Sequence, residues 1–551
     1  MTSRIEAGAG RSRRDLLRAG VALPVLGAAG GLSLCFEAAA KTASSPISSP
    51  IPGHVADAVP SAATLDGWLK QLHAFGPIRA TGTPQCRAFE EFLATAFARL
   101  GCTIERDQFR LTSWECDIKD CSITVSEDLR PTPPGDRAGA SAPPGRHLEV
   151  VAYYPFGGST RGKEAVTGRV LFGGSGEDCG PEILKKYTAS ELAEAIVVVD
   201  MPLAGGGVRG TVKYYPGSFP DPLPPAPTTP RVASQGGRGP MQALEGKCKG
   251  IILCYTDVSN EAARYNYLPF SDKHRSMPGV WVGKADSEYL KSVSGKASAT
   301  MRCDAKLTPD ARADTLLATL RGASEEVIFM TTQTDGPNEC NENGALGLLA
   351  AATYLAKIPN RRRTVVFCLP TGHYAAGAVA DPVTGSGRRA GTAGVIEKYP
   401  EIIKRTVAQI HLEQMAALEW LDLGGKWQAT GRPAQENWIP TPAVHEVVNR
   451  MFLATTKGLD PKHSRSGLVE SGQAPGEGGQ LRSMGVPGIG LMGSPHYFFR
   501  ADPKGVIDKL SPQVMHNQVE IATRLLAMMD RLTPDQMKGL SPISAAELGQ
   551  A

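Results

Sequence analysis

The clearest pattern in the chain is a series of short apolar runs in its second half, separated by segments with helical spacing. Apolar runs without polar alternation are typical of strands buried on both faces of a sheet. Such runs lie at 315–322, 326–332, 363–369, 406–413 and 485–492. The segments 343–357 and 512–532 have the spacing of helices. This alternation predicts an α/β domain over 306–535, with a mainly parallel sheet flanked by helices on both faces.

Two earlier segments have different patterns. Residues 61–150 begin with two predicted amphipathic helices and a strand, and the second helix has an apolar face. That face consists of Phe89, Phe92, Leu93, Phe97 and Leu100. Residues 151–305 contain short strands and few long helices. We therefore predict that 61–150 is the N-terminal part of the α/β domain, 151–305 a β-rich insert and 536–551 a tail.

The N-terminal segment predicts export from the cytoplasm. Arg13 and Arg14 belong to a twin-arginine motif, a weakly apolar run covers 19–35, and three alanines then offer a cleavage site. We predict a signal peptide over 1–40, a linker rich in Ser, Pro and Ala over 41–60, and a periplasmic or secreted protein. An uncleaved membrane anchor is the alternative, and no other apolar run is long enough to span a bilayer.

Charge and composition exclude nucleic acid as an expected partner. The net charge is +4 at pH 7, and aromatic residues make up 6% of the chain. The basic residues do not form a stripe interleaved with aromatic residues, which nucleic-acid binding requires. A small molecule or a peptide remains the predicted partner, and the sequence leaves the oligomeric state open.

The spacing of the cysteines along the chain does not predict a thiolate metal site. The chain has 11 cysteines, of which Cys35 lies in the predicted signal peptide. No CxxC pair occurs among them, which argues against a zinc site made of thiolates. In an exported protein, Cys116 and Cys121 are close enough in sequence for a local disulfide. Buried free thiols are the equally open alternative.

Polar and titratable residues follow the predicted strands at one edge of the sheet. In open α/β sheets the ligand site lies outside the carboxyl ends of the strands. The segments at these ends are 332–335, 370–374, 411–413 and 492–496. By strand alternation, His411 and Glu413 lie on the same face, where they can pair. The sequence therefore predicts a candidate site at this edge.

The segment 326–374 has the order strand, turn, helix, strand and ends at His373 and Tyr374. Together with GPIRATGTP at 76–84, it resembles the zinc exopeptidases of clan MH, the family of aminopeptidase S, glutamate carboxypeptidase and glutaminyl cyclase. The runs at 195–200, 250–253 and 277–280 resemble a protease-associated domain. The resemblance covers roughly 65–530. It implies the exopeptidase fold with an inserted protease-associated domain.

In this family, His, Asp and Glu side chains hold two zinc ions and a further Glu acts as general base. The resemblance places Gln333 at the first ligand His and Glu342 at the bridging Asp. It places His373 at the base Glu, Tyr374 at the ligand Glu and Glu413 at the following acid ligand.

Three further positions complete the correspondence. Asp335 is kept as the residue that orients the first His, and Glu477 matches an acid before the last strand. The last ligand His falls near Phe498, with His496 two residues earlier. Gln333, Tyr374 and the position of Phe498 lack the usual ligand chemistry, so the ligand set diverges from that of the family.

The divergent set leaves the metal content open. Two carboxylates and a His suffice to hold one zinc ion or another divalent metal. The candidate ligands are Glu342, Glu413 and His496, with His373 as an alternative to His496. A site without metal is an equally open prediction.

These residues lead to a predicted function with two rivals. We predict an exported hydrolase that acts on an amide or related bond in a small or peptidic substrate. The predicted catalytic residues are His373, Tyr374 and Glu342. The predicted residues around the substrate are Gln333, Asp335, Glu477 and His411. The alternatives are a non-catalytic binding protein of the same fold and a metal-free elimination or transfer enzyme that uses His373.

Overall fold

Strands dominate the architecture of the computed structural model, which describes residues 51–127, 145–202, 212–214, 237–377, 379–441, 445–471 and 476–549. The strands, numbered in chain order, are β1 Thr103–Glu115, β2 Cys121–Ser126, β3 Arg146–Leu148, β4 Val150–Tyr153, β5 Val166–Ser175, β6 Ala195–Met201, β7 Val212–Tyr214, β8 Gly250–Tyr255, β9 Gly279–Val282, β10 Ser298–Cys303, β11 Lys306–Leu320, β12 Ser324–Thr331, β13 Arg363–Leu369, β14 Val379–Ala380, β15 Gly387–Arg388, β16 Thr406–Glu413, β17 Leu418–Leu423, β18 Lys426–Pro433, β19 Glu436–Pro440, β20 Ser466–Ser471 and β21 Gly488–Gly493.

The helices include those that the sequence predicts at 343–357 and 512–532. They are α1 Ala62–Ala74, α2 Pro84–Arg99, α3 Gly180–Lys186, α4 Ala189–Ala193, α5 Arg238–Leu244, α6 Asn260–Ala263, α7 Lys284–Ser292, α8 Glu339–Glu342, α9 Gly344–Ala356, α10 Gly391–Lys398, α11 Pro400–Arg405, α12 His445–Thr455, α13 Gly479–Ser483, α14 Pro512–Arg531 and α15 Pro534–Met537. Ser61, Thr83 and Ser511 start α1, α2 and α14 by accepting a hydrogen bond from a backbone N–H.

The main sheet is mixed, with a parallel centre. Within the described residues its strand order is β15-β14-β1-β11-β13-β12-β16-β21-β19-β20-β7. The four central strands β13, β12, β16 and β21 are parallel to one another. β11 and β19 pair with this centre in the antiparallel sense. The predicted α/β class is confirmed, and the parallel order holds for the central strands that carry the candidate site.

Helices cover both faces of the central strands. In β12, Ile328 and Met330 pack into the larger core, which includes residues of α1, α2, α9 and α14. The alternate residues Val327 and Phe329 pack into a smaller core with residues of α10 and α13. Because successive side chains of a strand point to opposite faces, this division explains why β12 lacks polar alternation.

A second sheet has its own core. Its strand order is β3-β2-β10-β5-β6-β8-β9-β4, and its apolar residues form a separate cluster. This sheet begins with β2 at Cys121, earlier along the chain than the boundary near 151 that the sequence predicts. β7 lies within the predicted insert but pairs with β20 at the edge of the main sheet.

The described residues, from 51 onward, form one compact unit. Residues 1–50, which include the predicted signal peptide, lie outside the described residues. Among the helices of the described part, none combines the length and the apolar character that crossing a bilayer needs.

Candidate functional site

The carboxyl ends of β12, β13 and β16 meet at one edge of the main sheet. β12 lies between the other two strands, and Thr331 is in register with Cys368 of β13 and His411 of β16. The chain segments that leave these strands therefore start side by side. This register brings together Gln333, Asp335, His373, Tyr374 and Glu413, as the sequence predicts for this edge.

Asp335 shapes the turn that follows β13. Its buried carboxylate accepts hydrogen bonds from the backbone N–H groups of Gly372, His373 and Tyr374 at 3.1, 3.3 and 3.1 Å, and from the Thr81 hydroxyl. Burial raises the pKa of Asp335, although these donors oppose that shift. Gly372 has a φ of 98°, which favours glycine. Asp335 and the glycine together set the direction of the His373 and Tyr374 side chains.

His373 forms an ion pair with Glu477. The Nδ1 atom of His373 contacts one carboxylate oxygen of Glu477, and the other oxygen accepts from the backbone N–H of Thr392 at 2.8 Å and from its hydroxyl. Burial would lower the pKa of His373, but the Glu477 carboxylate outweighs burial and raises this pKa to about 9. His373 is therefore an imidazolium at neutral pH. Its side chain is 21% exposed, so it faces solvent in part.

Tyr374 and Gln333 are joined through Asn341. The Tyr374 hydroxyl donates to Oδ1 of Asn341 at 2.8 Å, and the Gln333 side-chain amide donates to the same oxygen at 3.3 Å. All three side chains are buried, and burial raises the pKa of Tyr374 well above its usual value. Three neutral groups therefore occupy the centre of the site. The sequence-based prediction did not include Asn341.

Glu342 points to a different partner. Its carboxylate is bound by the Nε and Nη2 atoms of Arg79, and both side chains are fully buried. Arg79 also donates to the Leu72 carbonyl at 3.3 Å, which ties α1 to α8. Burial raises the pKa of Glu342, and the Arg79 guanidinium opposes that shift. The residue next to Glu342, Asn341, is the one that reaches Gln333 and Tyr374.

Glu413 is paired with a buried histidine. One carboxylate oxygen contacts Nε2 of His411 at 2.7 Å and accepts from the Glu477 backbone N–H at 3.2 Å. The other oxygen accepts from the Gln414 side-chain amide at 2.7 Å. Burial would raise the pKa of Glu413, but His411 outweighs burial and lowers it. The predicted position of His411 and Glu413 on one face is confirmed.

The loop after β21 contributes aromatic rings. Phe498 and Phe499 pack with Tyr374 in a small apolar cluster, and Phe270 lies against it. The centroid of the Phe270 ring is 5.1 Å from that of Tyr374 and 5.3 Å from that of His373. The ring centroid of His496, the residue near the predicted last ligand position, is 6.4 Å from that of Trp427 in β18.

This donor set does not fit a pair of zinc ions. Zinc in proteins is held by His, Cys, Asp and Glu side chains, whereas two amides and a buried phenol occupy the centre of this site. The nearby acids Glu342, Glu413 and Glu477 already contact Arg79, His411 and His373. Among the described residues, the group of potential metal ligands whose donor atoms lie within 4.8 Å of one another is elsewhere in the molecule.

A cavity of about 300 Å³ lies beside the site. Tyr374, Gly336 and Pro337 border it on the side of the main sheet, and residues of the second sheet and its connections border it on the other. The aromatic side chains that line it are Trp114, Tyr153, Phe156, Tyr267 and Tyr374. Its polar lining includes Glu115, Asp117, Asp120, Arg161, Asp304 and Lys306. Tyr374 is thus shared by the strand-end site and the cavity.

Solved structures of peptidases are similar to this chain. The aminopeptidase from Aneurinibacillus sp. strain AM-1 has a TM-score of 0.52 and 12% identity, over 86% of this chain and 94% of that one. The zinc aminopeptidase BSAP from Bacillus subtilis has a TM-score of 0.52 and 13% identity, over 86% and 98%. The peptidase M28 precursor from Shewanella amazonensis SB2B has a TM-score of 0.54 and 13% identity, over 85% and 96%. No protein-family model and no curated protein sequence matches the chain.

The chain has a peptidase M28-like fold. At identities of 12–13%, this similarity establishes the fold. The reaction has to be inferred from the site residues of this chain. The expected exopeptidase fold is therefore confirmed.

Sequence reasoning missed three residues of the site. Asn341 is adjacent to Glu342, and the helical pattern does not fix which of two neighbouring residues points inward at a helix start. Arg79 lies in the 76–84 motif, but nothing in the sequence links it to Glu342. Arg482 is buried beside Glu413, and burial lowers its pKa to about 10 while Glu413 opposes that shift. These contacts join distant parts of the chain.

Proposed function

We propose that this chain binds a small organic or peptidic ligand and that its strand-end site works without a metal ion. The observation that carries this proposal is the neutral network of Gln333, Asn341 and Tyr374 at the centre of the site. Buried charges are stable only when they are paired. Glu342, Glu413 and Glu477 contact Arg79, His411 and His373, and the Asp335 carboxylate accepts backbone hydrogen bonds, so each of these carboxylates has a protein partner in place of a metal cation.

The cavity next to Tyr374 suggests the class of ligand. Its volume of about 300 Å³ suits a small molecule or a short peptide segment. Aromatic rings offer apolar contacts and cation–π contacts to a positively charged group, whereas Asp117 and Asp304 on the cavity wall already contact Lys119 and Arg302. We therefore propose an amine-bearing ligand with an apolar body, such as a dipeptide with an aromatic side chain.

Filling the cavity tests this proposal. Ala80 lines the cavity, so Ala80→Phe is expected to abolish the rise in melting temperature that phenylalanine-containing dipeptides or aromatic amines cause in the wild type. Ala98→Phe, on the exposed side of α2, is the matched control and is expected to keep the rise. A wild type with no shift across this panel, or an Ala80→Phe variant with the full shift, would contradict the proposal. Loss of bound zinc from a Glu413→Gln variant would also contradict the proposal, because it would show that Glu413 holds a metal ion.

A second candidate is the predicted hydrolase, with His373 as its acid. The partial exposure of His373 and its contact with Glu477 favour this candidate, because a carboxylate partner holds an imidazole in position for proton transfer. The high pKa makes His373 a proton donor at neutral pH rather than a base. Turnover of peptide or N-acyl substrates that disappears in His373→Gln and persists in His463→Gln, a partly exposed histidine, would favour the enzyme.

We further propose that the second sheet is a protease-associated insert and that the protein works outside the cytoplasm. The first proposal rests on the runs at 195–200, 250–253 and 277–280, and the second on Arg13 and Arg14. Replacing both arginines with lysine is expected to retain the protein in the cytoplasm, as measured by cell fractionation. Arg18→Lys serves as the control, and unchanged export of the double variant would argue against the twin-arginine route.

A further inference from the structure

Three cysteines that are far apart in sequence come together at the junction of the two sheets. The Sγ atoms of Cys116 and Cys121 lie 3.6 Å apart, those of Cys116 and Cys303 3.9 Å, and those of Cys121 and Cys303 3.7 Å. The predicted neighbourhood of Cys116 and Cys121 is thus present, but the two are free thiols in this structure. Cys303 is the partner that sequence spacing did not reveal.

The strand register explains why the three cysteines lie close together. Cys116 follows the last residue of β1, Cys121 is the first residue of β2, and Cys303 is the last residue of β10. Cys121 and Cys303 are direct register partners in the antiparallel pair of β2 and β10. One connection between the main sheet and the second sheet runs from β1 to β2, and another runs from β10 to β11. The cluster therefore lies where these two connections are adjacent.

The sulfur separations match those of a zinc site. A Zn–S bond is about 2.3 Å long, so two thiolates of a tetrahedral site lie about 3.8 Å apart. The three observed separations fall close to this value. A disulfide would need a separation of about 2.05 Å, and one bond among three cysteines would leave the third without a partner.

The surroundings leave one side of the cluster accessible. Cys121 and Cys303 are 8% and 0% exposed, whereas Cys116 lines the cavity described above, together with Asp117 and Asp120. Three ligands from the protein therefore cover one side of a metal ion, and the fourth position faces the cavity. A water molecule or a nearby carboxylate can fill that position.

We propose that Cys116, Cys121 and Cys303 bind one Zn²⁺ as thiolates, with the fourth ligand supplied from the cavity side. The ion joins both connections between the sheets, and it fixes the second sheet relative to the main sheet at the wall of the cavity. The three cysteines are not part of the strand-end site, but Cys116 borders the cavity in which the proposed function places its ligand.

Metal analysis of the full chain, purified without chelators, tests the site. The wild type is expected to carry about one zinc ion per chain, and Co²⁺ substitution is expected to give thiolate-to-metal charge-transfer absorption. Cys303→Ser and Cys116→Ser are expected to lose the zinc and the absorption band. Cys254→Ser, a buried cysteine of the same sheet, is the matched control and is expected to keep both. Because Cys116 is only partly buried, we expect the Cys116→Ser variant to fold like the wild type.

Four results would overturn the proposal. The first is a wild type that binds neither Zn²⁺ nor Co²⁺ while all three thiols react with a thiol reagent. The second is a disulfide between two of the three cysteines, detected by mass spectrometry. The third is zinc that remains in Cys116→Ser and Cys303→Ser. The fourth is zinc that is lost from Glu413→Gln while the cysteine variants keep it, and this result would also overturn the metal-free strand-end site. Loss of zinc from the cysteine variants alone leaves the metal-free strand-end site unaffected, and the ligand-induced rise in melting temperature tests the cavity separately.

Discussion

Replacing Arg79 with methionine is expected to lower the free energy of unfolding by about 3–5 kcal/mol. Arg79 and Glu342 are both fully buried and in direct contact. Methionine fills a similar volume, but it leaves the Glu342 carboxyl buried without its cationic partner. The pKa of Glu342, already raised by burial, rises further, and protonation relieves only part of the cost. Chemical denaturation monitored by circular dichroism measures the change.

Two matched variants separate the ion pair from a general loss of packing. Lys70→Met removes an exposed partner of Asp66 on α1, and we expect it to leave the denaturation midpoint unchanged because exposed pairs contribute little. The double variant Arg79→Met with Glu342→Leu is expected to recover most of the lost stability, since it leaves no buried charge. An Arg79→Met midpoint equal to that of Lys70→Met would show that the buried pair does not hold α1 and α8 together.

The His373–Glu477 pair is expected to make stability depend on pH above neutrality. Pairing raises the pKa of His373 from 6.5 to about 9, which corresponds to about 3 kcal/mol of stabilisation. The folded state holds this proton more tightly than the unfolded state. The contribution is therefore complete below pH 6.5, and it is lost as the pH rises through 9. Denaturation experiments between pH 6 and pH 10 measure the decline.

Glu477→Gln provides the control for this pH dependence. The variant keeps a polar side chain next to Thr392 but removes the charge that outweighs the burial of His373. We expect the decline between pH 6.5 and 9 to shrink, and the NMR titration of the His373 ring to move to lower pH. A wild-type ring that titrates near 6.5 would contradict the pairing, whatever the stability curve shows.

Much of the fold follows from the sequence. The apolar runs at 326–332, 363–369 and 406–413 became the central strands β12, β13 and β16, because only strands buried on both faces lack polar alternation. The antiparallel strands at the flanks of the sheet were less predictable. Their place depends on which strands pair over long distances, and periodicity alone carries no such information.

The candidate site was predictable in its location and only partly in its contacts. Parallel strands put their carboxyl ends at one edge, so the sequence brings Gln333, His373 and Glu413 to the same place. The sequence does not determine that Asn341 rather than Glu342 reaches Tyr374. Neighbouring residues of a helix point in directions about 100° apart, so a shift of the helix start by one residue would exchange the directions of these two side chains. Nor does the sequence determine the partner of each acid.

The sequence by itself determined the α/β class, the order of the central strands along the chain and the edge at which polar residues gather. These properties come from local periodicity, which each segment carries independently of the others. The tertiary structure alone decided that Glu342 pairs with Arg79, that Tyr374 closes a neutral network, and that Cys303 joins Cys116 and Cys121. Such contacts depend on strand register and helix rotation, which are fixed only when the whole chain packs.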